Sequence, residues 1–347
     1  PTRRSSDLLS PLNLGVIAAF YYIRHTTAEL FASSLKANTK LKGLIEILAS
    51  ASEYATLPMR RGEPSILSQL AGHLPVKISQ TRFNDPHVKA NVLLQSHFSR
   101  RSLASDIAAD QRTVLESAHK LVQALVDVIS SNSWLLPALA AMELSQMLVQ
   151  ARWSFDPFLQ QVPHLTPEII ERCTAAGVEG IFDLMELEPA KRQKLLQHLN
   201  NRQLQDVAIY CNRYPNVDVD FSVLDEQSLS TAAPIVVVVD LERDSDEEPG
   251  PVIAPFFPKD KTEEWWLVLG NADKNHLYSI KRLALGKKAR VKLDFTLTEP
   301  GDYEMTLYFM CDSYAGCDQE FPIKIHVEQG EDESDESDDD DDAMQQE

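Results

Sequence analysis

Around Pro215 the apolar residues of this 347-residue chain stop recurring every three or four positions and begin to recur every second one. Side chains repeat every 3.6 residues around a helix and every 2 across a strand, so such a chain folds first as helices and then as sheet. After the change, Val217, Val219, Phe221 and Val223 alternate with Asp218, Asp220 and Ser222. The same alternation runs through residues 291–297, 303–309 and 321–327. With 235–239, 265–269 and 277–283 this makes seven strands in roughly 110 residues, the number expected of an immunoglobulin-like β-sandwich. The polar stretch 244–251 reads as a loop inserted between two of them.

Before Pro215 the pattern is helical. Residues 14–35 carry Val16, Ile17, Phe20, Ile23, Leu30 and Phe31, and 39–54 carry Leu41, Leu44, Ile45, Leu48 and Ala51 before Leu57-Pro58 ends the run. Further helices are expected over 86–98, over 110–130, and from Ala138 to about Arg152, with Asn132 and Pro137 punctuating the last two. The 110–130 helix places Val114, Leu115, Ala118, Leu121, Val122, Leu125, Val126 and Ile129 on one side. Five helices with short connections predict a helical bundle over residues 1–152. From 153 to 214 the helices shorten into a helix-loop-helix module. There Thr166 is expected to cap a helix with Pro167 in its first turn that ends at Gly177, and three more short helices follow. The fold class is therefore multidomain, α then β, with the β-sandwich over 215–330.

The formal net charge of −19 is unevenly spread. Residues 1–152 hold 16 Lys and Arg against 11 Asp and Glu, whereas 215–330 hold 11 against 22. Residues 331–347, EDESDESDDDDDAMQQE, hold 11 acidic residues and no basic one. Without aromatic or β-branched residues to bury, they are expected to form a disordered acidic tail. No run of about 18 apolar residues is present to cross a bilayer, and the opening PTRRSSDLLSPLNLG lacks the apolar core of a secretion signal. An intracellular setting without a membrane partner is the expectation. Cys173, Cys211, Cys311 and Cys317 are too scattered for a zinc site and read as reduced thiols.

Catalytic motifs are lacking. The 12 glycines form no phosphate loop: Gly286-Lys287-Lys288 has neither the upstream Gly nor the hydroxyl residue that such a loop needs. There is also no GxSxG elbow, HExxH helix or GxGxxG turn, so no catalytic, cofactor-binding or metal-binding residues are assigned. Two features stand out instead. Thr113, Ser117, Lys120 and Ala124 recur at helical spacing on the 110–130 helix, opposite its apolar side. On spacing alone this stripe reads first as a solvated face. The positive charge of the bundle adds to its second reading, a track for a phosphate backbone. The other feature is the basic turn Leu57-Pro58-Met59-Arg60-Arg61-Gly62-Glu63, either a surface loop with a local ion pair or, through Arg60 and Arg61, a protein contact. Trp265 and Trp266 are likewise candidates for anchoring a protein interface, or they alternate between core and surface as in any strand.

Across nearly the whole chain, order and wording resemble the Sec-sixty-three homology unit that follows the motor domains of Ski-two-like RNA helicases. The resemblance is carried by LNLGVIAAFYYI, LPMRRGE, FNDPHVKANVLLQSHFSR, SSNSWLLPALAAMELSQMLVQARW, CNRYPNV, GPVIAPFFP, WWLVLG, YSIKRL and LYFMCDSYAGCDQE. Within that family the wording is closest to the C-terminal cassette of spliceosomal RNA helicases. The resemblance implies a bundle, a helix-loop-helix module and an immunoglobulin-like module, matching the three segments above. It also implies a long bundle helix that lies along RNA as a ratchet, here 110–130, with Thr113, Ser117 and Lys120 facing the RNA. Implied partners are helicase motor domains, spliceosomal proteins and RNA, and the implied location is the nucleus. Without the motor, the chain is expected to be a non-catalytic accessory and interaction region. The alternative is a soluble part of an endoplasmic-reticulum protein-translocation factor, which would carry transmembrane spans and a His-Pro-Asp motif that this sequence lacks.

Overall fold

The computed structural model describes residues 13–245 and 249–330, so the acidic segment 331–347 lies outside the described residues. Helices come first and antiparallel sheets second. Up to Gln150 the described residues form seven α-helices, against an expectation of five: α1 Asn13–Phe20, α2 His25–Ser34, α3 Leu41–Ala49, α4 Glu63–Ala71, α5 Pro86–Phe98, α6 Ser105–Ser131 and α7 Leu135–Gln150. The run 14–35 divides at Tyr22, whose φ of 51° is left-handed. Ala18 and Ile23 would lie about 140° apart around a straight helix. The break brings both into one core with Ile17, Ala28 and Phe31.

Helix α4 had no counterpart in the sequence reading. It starts in the basic turn, where Gly62 takes a φ of 82° and Pro64 occupies the first helical turn. Its inner face offers Leu67 and Leu70 to a small cluster with Leu74 and Val92, too few apolar residues to mark a period. Helix α6 begins five residues earlier than expected. Pro137 does not separate α6 from α7 but sits in the first turn of α7, where its missing N–H has no intrahelical acceptor to lose.

Four shorter helices follow, α8 Pro167–Ala175, α9 Ile181–Glu186, α10 Pro189–Leu195 and α11 Asn201–Arg213. Thr166 precedes α8 but makes no side-chain capping bond. Asn200 does cap α11: its side chain accepts from the Gln203 N–H while the Gln203 side chain accepts from the Asn200 N–H, each at 3.0 Å.

The strands are β1 Val217–Val223, β2 Pro234–Arg243, β3 Trp265–Asn271, β4 His276–Leu283, β5 Lys288–Thr296, β6 Gly301–Cys311 and β7 Gln319–Val327. They build two antiparallel sheets, ordered β1-β2-β5 and β4-β3-β6-β7. Val237, Val239 and Leu293 of the first share a core with Trp265, Leu267, Leu269, Leu307 and Phe309 of the second, and that core continues into Leu159, Ile170, Leu184 and Tyr210 of the short-helix region.

The other face of the four-stranded sheet is covered by the bundle. Trp266, Val268, Leu277 and Tyr308 join the cluster that holds Leu121, Leu125, Leu144 and Leu148. Strand β3 is therefore buried on both faces, which explains why its sequence, WWLVLG, is continuously apolar instead of alternating. Polar side chains of α7 complete the seam. Ser145 donates to the Asp312 carbonyl at 2.9 Å, Gln146 to Cys311 at 2.8 Å and Gln150 to Ser313 at 2.9 Å.

At the other end of this seam, Gly270 has no room for a side chain. A Cβ there would lie 2.7 Å from both Leu135 methyls and 2.8 Å from the His276 carbonyl oxygen. Gly270→Ala is expected to cost about 1–3 kcal/mol through forced displacement of packed backbone. Urea unfolding checks this, and a midpoint equal to the wild type would refute it.

Candidate nucleic-acid interface

Helix α6 turns its apolar side, from Ile107 through Ile129, into the bundle core. Its open face is formed by Ala109, Arg112, Thr113 and Glu116, with Ser117 and Lys120 half-buried at its edge. Ala124, the fourth position of the expected stripe, is fully buried, because the helix passes beneath its neighbours at that point. The polar stripe is thus shorter than its spacing suggests. Thr113 donates to the Ala109 carbonyl at 3.2 Å and Ser117 to Val114 at 3.2 Å, so both hydroxyl protons are used within the helix and their oxygens remain acceptors.

Ser117 also borders the buried Tyr54, whose hydroxyl donates to the Val114 carbonyl at 3.2 Å. Burial pushes the Tyr54 phenol well above its ordinary range, with Ser117 acting in the opposite direction. Lys120 donates from its ammonium to the Tyr22 carbonyl at 3.1 Å, bracing the break between α1 and α2. An ammonium has three donors, and among the described residues no carboxylate pairs with this one.

Sequence reading missed two cations beside this face. Arg112 precedes Thr113 on the same side of α6, a position legible from helical spacing. Lys259 comes from the loop before β3 and donates to the Glu116 carbonyl at 3.0 Å, across 143 residues of chain. Only the tertiary fold brings it there.

The remaining candidates lie elsewhere. Arg60 bonds both oxygens of Asp110, one of them at 3.0 Å, and its backbone N–H donates to Glu63 at 2.7 Å. Between those carboxylates sits Lys89, fully buried, 2.5 Å from Glu63 and 2.6 Å from Asp110, and its ammonium also donates to the Pro58 carbonyl at 2.6 Å. Burial alone would raise the Asp110 carboxyl; Arg60 and Lys89 together hold it below its ordinary value. The basic turn is therefore a clamp that ties α4, α5 and α6 together, with Arg61 exposed beside it.

Trp265 and Trp266 are 0% and 1% exposed, which corrects the expectation that they reach an outside partner. Trp265 stacks on Phe309 at 4.2 Å between the sheets. Trp266 faces the bundle, with the Arg282 guanidinium 5.3 Å from its ring centre. The interface they anchor lies within the chain.

A second polar cluster joins α6 to the loop after β6. Lys261 pairs with Asp312 at 2.6 Å, and His119 stands 3.6 Å from the same carboxylate. Burial pushes the Asp312 carboxyl up, but the His119 hydrogen bond and the Lys261 charge outweigh it and leave the carboxyl below its ordinary value. His119 itself is lowered, chiefly by burial. The four cysteines are free thiols. Among the described residues no group of three or more His, Cys, Asp or Glu could hold a metal ion, and no helix is long and apolar enough to cross a membrane.

The Sec63 Brl domain family matches residues 11–324. The chain is 53% identical over 327 residues to the U5 small nuclear ribonucleoprotein 200 kDa helicase of Mus musculus, and equally to that of Homo sapiens, covering 94% of this chain and 15% of each relative. The DExH-box ATP-dependent RNA helicase DExH12 of Arabidopsis thaliana is 49% identical over 325 residues, 92% of this chain and 15% of that protein. The chain thus spans about a seventh of the length of these relatives. With most of its length matched by the family and about half of its residues shared with the relatives, this chain belongs to the Sec63 Brl domain family.

Proposed function

We propose that this chain acts as a non-catalytic accessory and protein-interaction region of a spliceosomal RNA helicase, supporting unwinding of small nuclear RNA in the nucleus. The observation that carries this reading is the 53% identity along 94% of the chain to U5 small nuclear ribonucleoprotein helicases. A translocation factor is not favoured, since the relatives above are helicases. In this reading residues 1–152 form the bundle, 153–214 the helix-loop-helix module and 215–330 an immunoglobulin-like sandwich. The two antiparallel sheets around a shared core support the sandwich. The motor domains of the helicase and spliceosomal proteins are its partners, and RNA runs along α6. Arg112, Thr113 and Lys120 support that placement, since they put a cation and a hydroxyl on the open face of the helix and a second cation at its edge.

The test is to express the tagged chain in cultured cells and fractionate them. Nuclear recovery with U5 small nuclear RNA, detected by hybridisation after purification under native salt, is the expected result. Recovery with endoplasmic-reticulum membranes and no U5 RNA would reverse the choice. Purified chain alone is expected to show no RNA-stimulated ATP hydrolysis.

A further inference from the structure

Three aromatic residues follow one another where α1 ends, and the fold treats them differently. Tyr21 turns inward: its hydroxyl donates to Asp127 at 2.6 Å and accepts from Arg282 at 2.7 Å. Phe20 and Tyr22 point outward, 70% and 89% exposed. Phe20 keeps an edge-on contact with Tyr21, ring centres 4.9 Å apart. Tyr22 has no ring partner among the described residues. Its backbone is left-handed, a conformation that suits Gly and is an outlier for a bulky aromatic residue. The neighbourhood therefore holds a strained turn that displays a large apolar ring to solvent, although packing does not need that ring.

The anchor of this turn is Lys120, on the face of α6 read above as RNA-facing. One ammonium proton reaches the Tyr22 carbonyl, and the other two are left for another acceptor. An exposed ring and a cation with donors to spare thus meet at one residue, the cation on its carbonyl and the ring on its side chain. A single-stranded nucleotide presents the matching pair, a base with a π-face and a phosphate.

We propose that Tyr22 is a stacking platform for a base of single-stranded RNA whose phosphate is held by Lys120, with Phe20 extending the platform. The proposal rests on the RNA-facing reading of α6 and adds a residue that neither spacing nor charge points to. The bundle carries the positive balance this ligand needs, with 16 Lys and Arg against 11 Asp and Glu in residues 1–152.

The experiment measures binding of a fluorescein-labelled oligouridylate of about 12 nucleotides to the full chain, across a salt series. Tyr22→Ala and Tyr22→Gly are each expected to weaken binding about tenfold at every salt concentration, with an unchanged salt slope, because stacking releases no counterion. Tyr22→Trp is expected to restore affinity. Lys120→Gln, which keeps a donor for the Tyr22 carbonyl, should instead lower the slope by about 0.7. Melting temperatures should not fall for Tyr22→Gly, since Gly suits the left-handed turn. Photocrosslinking with 5-iodouridine in the same oligonucleotide should map to the peptide that contains Tyr22. If Tyr22→Ala binds like the wild type while Lys120→Gln still lowers the slope, the platform is wrong and the α6 reading stands. Failure of Tyr22→Trp to restore binding also overturns the platform. If the wild-type chain binds no RNA, both fall together.

Discussion

Lys89→Ala is expected to destabilise the chain by about 3–5 kcal/mol, the range for removing one partner of a buried ionic group. All three ammonium donors are in use, on Glu63, Asp110 and the Pro58 carbonyl, and Lys89 itself is fully buried. Truncation leaves two buried carboxylates that Arg60 alone must serve. Urea midpoints at neutral pH measure the loss. Replacing the three buried charges with neutral residues, as Lys89→Met with Glu63→Gln and Asp110→Asn, should recover much of it, because the one cation left of the group, Arg60, is partly solvent-exposed.

The pH profile follows from Asp110. Its folded carboxyl titrates below the ordinary value, so its stabilisation is complete above the unfolded pKa near 3.8 and is lost as pH falls through the lower, folded one. That acid step should be smaller in Lys89→Ala than in the wild type. A variant as stable as the wild type at pH 7 would show that the clamp carries no net stability.

Trp266→Ala is expected to cost about 3–5 kcal/mol, by removing one of the largest buried side chains and leaving a cavity between bundle and sheet. Among the described residues its indole N–H has no partner, so no hydrogen bond is lost and the effect is one of packing, the Arg282 contact included. Amide hydrogen exchange distinguishes this seam from the sandwich core. Trp266→Ala should speed exchange in α7, whereas Trp265→Ala should speed it in β6 while leaving α7 near its wild-type protection. Equal effects of the two variants on α7 would refute the division of labour between the two rings.

What the sequence made legible was whatever depends on local period. Strands β1, β5, β6 and β7, and the helix around Val114–Ile129, follow from spacing because an apolar face of each meets a core, whereas β3 reads as a short continuous apolar run. The misses share a different cause. Strand alternation assigns Trp265 and Trp266 one buried and one exposed ring, yet the bundle covers the sheet's second face, and period carries no record of a partner that arrives from elsewhere in the chain. Helix α4 buries too few side chains to show a stripe. The turn at Tyr22 is held by Lys120, almost a hundred residues away in sequence.

The candidate site divides in the same way. Thr113, Ser117 and Lys120 come from one helix and were readable; Lys259 arrives from the loop before β3 and was not. Arg60 was readable as a paired cation, but Lys89, which makes that pair a buried clamp, sits in a helix whose buried polar residues hide its face.

The doubly covered strand β3 also has a consequence in time. During synthesis, α7 is complete about 115 residues before Trp266, which closes over the seam, emerges. At ~5–20 residues per second, the bundle waits roughly 6–23 s with an apolar seam open to solvent. Slow translation or early termination between α7 and β3 therefore leaves a nascent chain with an exposed sticky surface, and a chaperone that shields helical seams would be the natural escort for that interval.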